Sequence, residues 1–439
     1  MIWLALPFAL FALLAAEQAM PRRLPATLMW PYFMLSLAGQ VFALPGLVVA
    51  IILAIVAHGA AAWIFAVSAA LFALVHWRNR IAGRLLLDAV GLTATRIPLL
   101  AGLFPPAIGG SDVRRIKDIA YGDGGERNRL DLILPTTPPA APMPILIHVH
   151  GGAWVMGAKD QQAKPLLNHM AQHGWLCVDI NYRLGPTHRC PAMIVDVLKA
   201  IAWVKAHAHE HGGDRTRIAL TGGSAGGHLT ALAALAHDDR AFKPGFEEAD
   251  CSVQLAVPVY GHYDFLNRND HLSRGQRRNV EYFLGEKVMP GSIETCRELW
   301  QAMSPYDRIR PDAPPMLILH GTGDTLLPFR DAQAFSEALR ATSQAPVTFV
   351  ELPGIDHAYD WAATPLVWAH VRAIAEFLSP LAQPAQRGLR ADAGLRGDGD
   401  LRGDARLAGE GLAGGVLGAD ALGAGLGGDR GSGAAAGPA

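Results

Sequence analysis

The hydrophobic and polar positions divide the chain of 439 residues into three zones. The first zone, residues 1–84, is almost free of charge, because residues 2–16 form an unbroken apolar run and residues 24–77 contain no Asp, Glu, Lys or Arg. A helix needs about 20 apolar residues to cross the hydrocarbon core of a bilayer. The zone therefore predicts about three transmembrane helices. Their predicted bounds are residues 2–20, 30–57 and 59–77.

Arginines follow two of these predicted helices. Arg22 and Arg23 come after the first apolar run, and Arg78, Arg80 and Arg84 come after the third. Basic residues next to membrane helices stay on the cytoplasmic side. The pattern therefore predicts an integral membrane protein whose remaining residues face the cytoplasm, and a two-span or four-span arrangement would change this orientation.

A secretory signal peptide is the alternative interpretation of the first apolar run. The alanine-rich end at Ala15-Ala16 is compatible with a cleavage site, whereas no Lys or Arg precedes the run. Signal peptides begin with a positively charged segment. The pattern therefore favours a membrane span.

The second zone, residues 112–381, alternates short apolar segments rich in β-branched residues with amphipathic helical segments. This alternation predicts an α/β fold, a mostly parallel sheet with helices on both faces. The first two strands are expected to form a hairpin around residues 122–125. The predicted strands are residues 116–121, 128–134, 145–149, 176–180, 217–220, 253–259, 316–319 and 347–351, and two clear helices are residues 194–207 and 331–341.

The third zone, residues 383–439, has no aromatic residue and is dominated by Gly, Ala, Leu, Arg and Asp. A segment of this composition buries too little apolar surface to offset the entropy of ordering it. We therefore expect a disordered low-complexity tail.

The bulk composition narrows the possible partners. The net charge is −1, which argues against nucleic-acid binding, and hydrophobic residues make up 51% of the chain, which favours membrane lipid as a partner. The four cysteines form no CxxC pair, so we expect free thiols, although a Cys177–Cys190 disulfide stays open. The composition does not indicate an oligomeric state.

A Gly-x-Ser-x-Gly pentapeptide at residues 222–226 lies between a predicted strand and a predicted helix. In this context the serine occupies a tight, strained turn that flanking glycines permit. The turn exposes the serine hydroxyl and directs a helix N-terminus at it. Ser224 is therefore the candidate nucleophile, and a phosphate-binding glycine loop is the alternative.

A second glycine motif, His150-Gly151-Gly152-Ala153, ends an earlier predicted strand. Acyl transfer builds negative charge on the former carbonyl oxygen, and backbone N–H groups aimed at this oxygen stabilise it, each by about 3 kcal/mol. The predicted donors of this oxyanion hole are the N–H groups of Gly151, Gly152, Ala153 and Ala225.

A nucleophilic serine needs a base, and the base needs an acid that orients it. Asp324 and His357 each follow a predicted strand, and the chain order Ser, Asp, His is typical of α/β-hydrolases. Asp356 and Asp360 are alternative acids, but both are too close to His357 in the sequence to orient its ring from a separate loop. The predicted triad is therefore Ser224, Asp324 and His357.

The chain contains 17 histidines, which raises the question of a metal site. His207 and His211 have the i, i+4 spacing of a metal pair, but no third ligand with suitable spacing follows. Because Gly212-Gly213 come next, we interpret this group as a helix C-terminus, where cationic side chains are favourable. No metal and no cofactor is expected. His150 and His320 are expected to brace the glycine turns beside them.

With these motifs, residues 112–381 resemble the carboxylesterases of the hormone-sensitive-lipase-like group of α/β-hydrolases. The resemblance implies Ser224 as nucleophile, Asp324 as orienting acid and His357 as general base, with structural roles for residues 182–184 and Asp196. The residues that carry it are 150–154, 181–186, Pro191, Asp196, Ala200, Trp203, 222–227 and 320–328.

Two positions depart from this group. Ala153 replaces the third glycine after the histidine, and Gly223 replaces the acidic residue that often precedes the nucleophile. Both features are more similar to the feruloyl-esterase-like and kynurenine-formamidase-like branches. The departures leave the expected mechanism unchanged and bear on the substrate.

The expected function is that of a membrane-anchored serine carboxylesterase, which hydrolyses small short- to medium-chain acyl esters through an acyl-enzyme. Residues 262–305 are long enough for a cap over the pocket, and a solvated insertion is the alternative. An amidase or formamidase with the same triad is the nearest alternative function. A catalytically silent membrane scaffold on a hydrolase fold is the second.

Overall fold

The computed structural model describes residues 1–16, 26–98, 113–272, 274–361 and 364–383. Arg22, Arg23 and all but the first residue of the predicted disordered tail lie outside the described residues, and nothing is said of their structure. The four cysteines are described and all are free thiols, as expected.

Eight strands form one sheet in the order β1-β2-β4-β3-β5-β6-β7-β8. The first two strands form the predicted antiparallel hairpin, β2 pairs antiparallel with β4, and all later pairs are parallel. The prediction of a mostly parallel α/β sheet is therefore confirmed. The strands are β1 Val113–Ala120, β2 Arg129–Pro135, β3 Met143–Val149, β4 Leu176–Ile180, β5 Gly213–Gly223, β6 Leu255–Val259, β7 Met316–Gly321 and β8 Val347–Leu352.

Helices cover both faces of the sheet, because its central strands are apolar on both sides and must be buried twice. One face packs against α6 to α10, and the other packs against α5, α11 and the end of α4. The helices are α1 Ile2–Ala16, α2 Ala26–Val41, α3 Ala43–Val56, α4 Ala60–Ala89, α5 Lys164–Gln172, α6 Ala192–His207, α7 Ala225–Leu235, α8 Arg274–Lys287, α9 Ile293–Ala302, α10 Phe329–Thr342 and α11 Pro365–Ala382.

The predicted membrane zone folds into the four helices α1 to α4, and its second predicted span differs from a single helix. Residues 32–40 and 43–56 meet at 78°. Pro45 explains the break, since its ring has no N–H to donate and collides with the carbonyl of residue 41 in a continuous helix. Among the described residues, α4 alone is long and apolar enough to cross a bilayer, and the bent pair α2 and α3 would be a second such segment. The span count stays a prediction.

Helix α4 has 30 residues, and one face of it is buried along its whole length. Phe65 and Phe72 of its first half pack against α1. Ala82 and Leu86 of its second half join the core beneath the sheet, and a Cβ on Gly83 would come within 3.1 Å of Ala369 in α11. A single helix therefore connects the apolar N-terminal layer directly to the core of the α/β fold.

The candidate site residues all lie at one edge of the sheet. Ser224 follows β5, Asp324 follows β7, His357 follows β8, and Gly151 follows β3. Because these strands are parallel, their carboxyl ends meet at the same edge, where open α/β sheets bind ligands. The topology therefore brings together residues that are up to 206 positions apart.

Candidate active site

Ser224 lies on the turn between β5 and α7, as the pentapeptide predicts. Its backbone has φ 58° and ψ −120°, a left-handed conformation that is strained for a residue with a side chain. Glycine is required on both sides, because a Cβ on Gly222 or Gly226 would overlap the carbonyl group of Val149. Helix α7 begins at Ala225, so its N-terminus points at the serine.

Ser224, His357 and Asp324 form one line of hydrogen bonds. The Nε2 atom of His357 lies 2.8 Å from the Ser224 hydroxyl, and its Nδ1 atom lies 2.7 Å from Asp324 Oδ2. The other oxygen of Asp324 accepts backbone N–H groups from Leu326 and Leu327 at 2.9 and 2.8 Å. The acid is therefore held from its own loop while it holds the imidazole.

The charges in this line set its protonation. Burial would raise the pKa of Asp324, but the neighbouring His357 and His320 rings hold it well below its usual range. Burial would lower the pKa of His357, but the carboxylate of Asp324 outweighs this and raises it. Because ionised Asp324 can only accept, the His357 proton sits on Nδ1, and Nε2 is free to accept the serine proton.

The two alternative acids have other partners. Asp356 Oδ1 accepts the backbone N–H groups of Thr325 at 2.9 Å and His357 at 2.7 Å. Asp360 accepts a short hydrogen bond from the Tyr260 hydroxyl. Asp324 is thus the carboxylate at hydrogen-bonding distance from the His357 ring, which is the arrangement that the sequence favours.

We expect Asp356→Asn to shift the pH dependence of catalysis without abolishing it. Burial, followed by the charge of Asp324, raises the pKa of Asp356 to about 6, and its Oδ2 atom has no hydrogen-bond partner among the described residues. Asparagine keeps the oxygen that accepts both N–H groups and removes a charge that raises the pKa of His357. The acid limb of the kcat/KM profile should move to lower pH, with kcat at pH 8 within about tenfold of the wild type.

The matched control is Asp312→Asn, which neutralises an exposed carboxylate beside Arg310. It should leave the acid limb in place. An Asp356→Asn profile that stays unchanged or moves to higher pH would contradict the assignment of this charge. A loss of activity as large as that expected for Asp324→Asn would make Asp356 the orienting acid.

The predicted oxyanion turn at residues 150–153 lies directly against the turn that carries Ser224, called the nucleophile elbow below. A Cβ on Gly151 would approach the Gly223 carbonyl to 2.7 Å and the Ser224 Cβ to 3.2 Å, and Gly152 and Ala153 have φ 124° and 50°. The Gly151 N–H donates to Gln162 Oε1 at 2.7 Å, a contact that the sequence gives no reason to expect. The oxyanion roles of Gly151, Gly152, Ala153 and Ala225 stay predictions.

A buried hydrogen-bond chain links this turn to the helix after the nucleophile. Trp154 Nε1–H donates to His228 Nδ1 at 3.1 Å, and His228 Nε2–H donates to the Met303 carbonyl at 2.8 Å. Burial lowers the pKa of His228 to about 3, which keeps this ring neutral. Sequence reasoning missed the link, although Trp154 and His228 each lie within four residues of the motif they brace.

The two histidines beside the glycine turns are buried. His150 Nδ1–H donates to the Gly151 carbonyl at 2.7 Å, and its ring stacks on Tyr182. His320 Nε2 lies 3.1 Å from Asp324 Oδ2. His207 Nδ1 lies 2.9 Å from Glu210 Oε1, and no group of three potential ligands that could hold a metal occurs among the described residues.

The chain is similar to known proteins. A sequence profile of the BD-FAE family matches residues 130–339. Esterase LipC of Mycobacterium tuberculosis is 39% identical over 279 residues, which cover 63% of this chain and 68% of LipC. The chain belongs to the BD-FAE family of α/β-hydrolases. The resemblance inferred from the motifs is therefore confirmed.

A second sequence relative and a solved structure are also similar to this chain. The probable carboxylic ester hydrolase LipM of Mycobacterium tuberculosis is 43% identical over 263 residues, so the match spans 60% of this chain and 60% of LipM. The solved structure of Thermogutta terrifontis esterase 2 phosphonylated by sarin is 25% identical and covers 64% of this chain and 99% of that one, with a TM-score of 0.52. The family match to residues 130–339 lies within the α/β part of the chain.

The two departures of this family member have different structural settings. A Cβ on Gly223 would lie 2.5 Å from the Tyr260 hydroxyl, so no side chain fits before the nucleophile. The Tyr260 ring takes that space and lies 4.7 Å from the His357 ring. At Ala153, the turn carries a left-handed conformation at a residue that has a side chain.

The residues with implied structural roles support the turn from below. Arg183 forms a bidentate ion pair with the fully buried Asp196, with contacts between 2.7 and 3.1 Å. The Tyr182 hydroxyl donates to the His150 carbonyl at 2.9 Å. The ion pair ties the loop after β4 to α6, and the Tyr182 hydrogen bond ties it to the predicted oxyanion turn after β3.

Proposed function

We propose that this protein is a membrane-anchored serine carboxylesterase that acts on small acyl esters of short to medium chain length. The observation that carries the proposal is the imidazole of His357, which is hydrogen-bonded to a serine hydroxyl on one side and to a buried carboxylate on the other. Two relatives that bear the names of an esterase and a probable carboxylic ester hydrolase support the same reaction class.

In the proposed mechanism His357 Nε2 takes the hydroxyl proton as Ser224 Oγ forms a bond to the ester carbonyl carbon. The tetrahedral intermediate collapses, the bond to the alcohol oxygen breaks, and the imidazolium returns the proton to the leaving alcohol. Water then attacks the acyl-serine with the same base, which releases the acid and restores Ser224. Asp324 stabilises the imidazolium in both halves of the cycle.

The oxyanion in this mechanism is held by backbone N–H groups from the turn at residues 151–153 that are free to donate, together with that of Ala225. Their position at the start of α7 and after β3 supports this role, because both sets border the Ser224 turn. The Gly151 N–H makes its hydrogen bond to Gln162, so the donors left for the substrate oxygen are those of Gly152, Ala153 and Ala225. Each such donor lowers the barrier by about 3 kcal/mol.

The anchoring part of the proposal rests on surface chemistry. Among the described residues, nearly all exposed large apolar side chains belong to residues 1–85, and Met156, Tyr282 and Trp361 are the exceptions. Soluble monomers rarely expose apolar patches of this extent. Trp77 is exposed where the apolar half of α4 ends and Arg78 begins a basic stretch, an order typical of a membrane interface on the cytoplasmic side.

Labelling with a fluorophosphonate probe tests this proposal. The full-length protein, in membranes washed with alkaline carbonate, should be labelled on the peptide that contains Ser224. It should also hydrolyse p-nitrophenyl acetate, butyrate and octanoate. Faster turnover of N-formylkynurenine than of any ester would indicate a formamidase, and a folded protein that neither takes the label nor turns over any substrate would overturn the proposal in favour of a silent scaffold. Release of the labelled band by carbonate would overturn the anchoring.

A further inference from the structure

Helix α2, which belongs to the apolar N-terminal layer, contacts both catalytic loops. The Phe33 ring centroid lies 6.1 Å from that of His357 in an edge-on arrangement. Phe33 and Leu37 are buried in one cluster with Ala358, and Leu326 packs against the same cluster. Ala358 follows the candidate base, and Leu326 lies two residues after the candidate acid, so α2 covers the loops that carry both.

A polar contact holds α2 in this position. The Asp356 N–H points to Gln40 Oε1 at 3.4 Å, and Gln40 is only 7% exposed. The two residues are 316 positions apart, so the contact exists only when the N-terminal layer is docked on the α/β fold. The catalytic loop after β8 is therefore tied to α2 by its backbone as well as by apolar packing.

The opposite side of α2 is also apolar. Leu35 is 45% exposed and Phe42, at the end of the helix, is 52% exposed. A helix with apolar side chains on two opposite sides packs against apolar surroundings on both, either protein or lipid. Here protein covers the side at Phe33 and Leu37, and the proposed bilayer would cover the side at Leu35.

Residues 274–305 of the predicted cap contact a different loop. In residues 274–305 the Val288 carbonyl accepts the Cys190 N–H at 2.8 Å, and the Met289 carbonyl accepts Arg189 Nη1–H at 2.7 Å. These contacts lie on the loop after β4, whereas Phe33 of α2 contacts the His357 ring itself. The cap role of residues 262–305 stays a prediction.

We infer that Phe33 and Leu37 of α2 form one wall of the acyl-binding site, and that the acyl chain of the substrate reaches this site from the lipid phase. The inference rests on the proposed esterase function, and it names the substrate class as esters of a medium-length acyl chain dissolved in a bilayer. Phe33 lies against the ring of the candidate base, next to the expected position of a bound substrate, and its cluster with Leu37, Ala358 and Leu326 is apolar. A lipid acyl chain suits such a wall, because it moves from the apolar bilayer to an apolar protein surface without being exposed to water.

An acyl-chain series on the full-length protein tests the inference. Phe33→Ala and Leu37→Ala should lower kcat/KM for p-nitrophenyl octanoate by about tenfold or more, because lost packing of a few methylene groups has this size. The same variants should lower kcat/KM for the acetate by a factor at least about threefold smaller. The assay uses protein in phosphatidylcholine vesicles, since the substrate is expected to arrive from lipid.

Leu35→Ala is the matched control, because it truncates a leucine on the outward side of the same helix. It should change neither ester by more than about threefold. Equal losses for acetate and octanoate, or a Leu35→Ala effect as large as that of Leu37→Ala, would overturn the inference. Should Phe33→Ala fail to fold, Phe33→Trp replaces it, since a larger ring should narrow the wall and again select against octanoate.

Fluorophosphonate labelling separates this inference from the proposed function. If wild type is neither labelled nor active on any ester, the proposed function fails. If wild type and all variants are labelled and hydrolyse acetate, but the octanoate-to-acetate ratio does not change in Phe33→Ala or Leu37→Ala, only the role of α2 fails. The two failures therefore give different results in the same set of samples.

Discussion

Ser224→Ala is expected to lower kcat for ester hydrolysis on the order of 10⁶-fold and to leave the fold intact. The hydroxyl is the group that lies 2.8 Å from His357 Nε2, and alanine removes it without adding volume to the strained turn. Alanine adopts the left-handed backbone conformation at position 224 with no more strain than serine, because both residues carry a Cβ. Active-site titration with a fluorophosphonate, together with initial rates on p-nitrophenyl butyrate, measures the loss.

Ser343→Ala serves as the control for this substitution. Ser343 follows α10, and its hydroxyl accepts the Ala345 N–H, far from the elbow in the sequence. The control should keep both labelling and turnover. Undiminished hydrolysis by Ser224→Ala, with stoichiometric labelling, would remove Ser224 from the mechanism.

Asp324→Asn is expected to lower kcat roughly 10⁴-fold at neutral pH. The carboxylate can only accept, so it holds the His357 proton on Nδ1. Asparagine retains one oxygen for the N–H groups of Leu326 and Leu327 and presents an NH₂ group to the ring. The imidazole would then take the other tautomer, with its proton on Nε2, and could not accept the serine proton.

The same substitution should also lower the pKa of His357. Burial of the ring lowers this pKa, and the charge of Asp324 is the main effect that raises it. In the wild type the pKa of His357 is raised above the ordinary value of about 6.5. The base therefore becomes protonated, and activity falls, as the pH drops below this raised pKa. An NMR titration of the His357 ring should show this midpoint move downward in Asp324→Asn. Wild-type kcat in that variant, or an unmoved midpoint, would exclude Asp324 as the orienting acid.

Local chemistry in the sequence predicted the sheet and the members of the candidate triad. The strand β4, Leu176–Ile180, matches its predicted bounds, because buried parallel strands are short apolar runs that turn residues delimit. Asp324 and His357 were predicted because each follows such a strand. Motifs of this kind are local, so a single window of sequence carries them.

Contacts between distant segments escaped prediction. The link from Trp154 to His228 and the docking of α2 on His357 depend on how whole elements pack. The break between α2 and α3 was present in the sequence as Pro45, but the continuous apolar run concealed it. The hydropathy of a segment indicates whether the segment prefers lipid. It does not indicate whether the helix bends within that segment.

The continuous helix α4 has a consequence for how this protein meets its substrates. Ala60–Ala89 runs without a proline from the apolar layer to the packing against α11, so no flexible tether separates the proposed membrane anchor from the α/β fold. A tethered domain would sweep a hemisphere of solvent above its anchor. A domain held on a rigid helix would keep a fixed distance and orientation relative to the membrane of the proposed anchor. It would therefore meet ester molecules that diffuse laterally within the membrane. Its turnover would follow the surface density of the ester and not the bulk concentration.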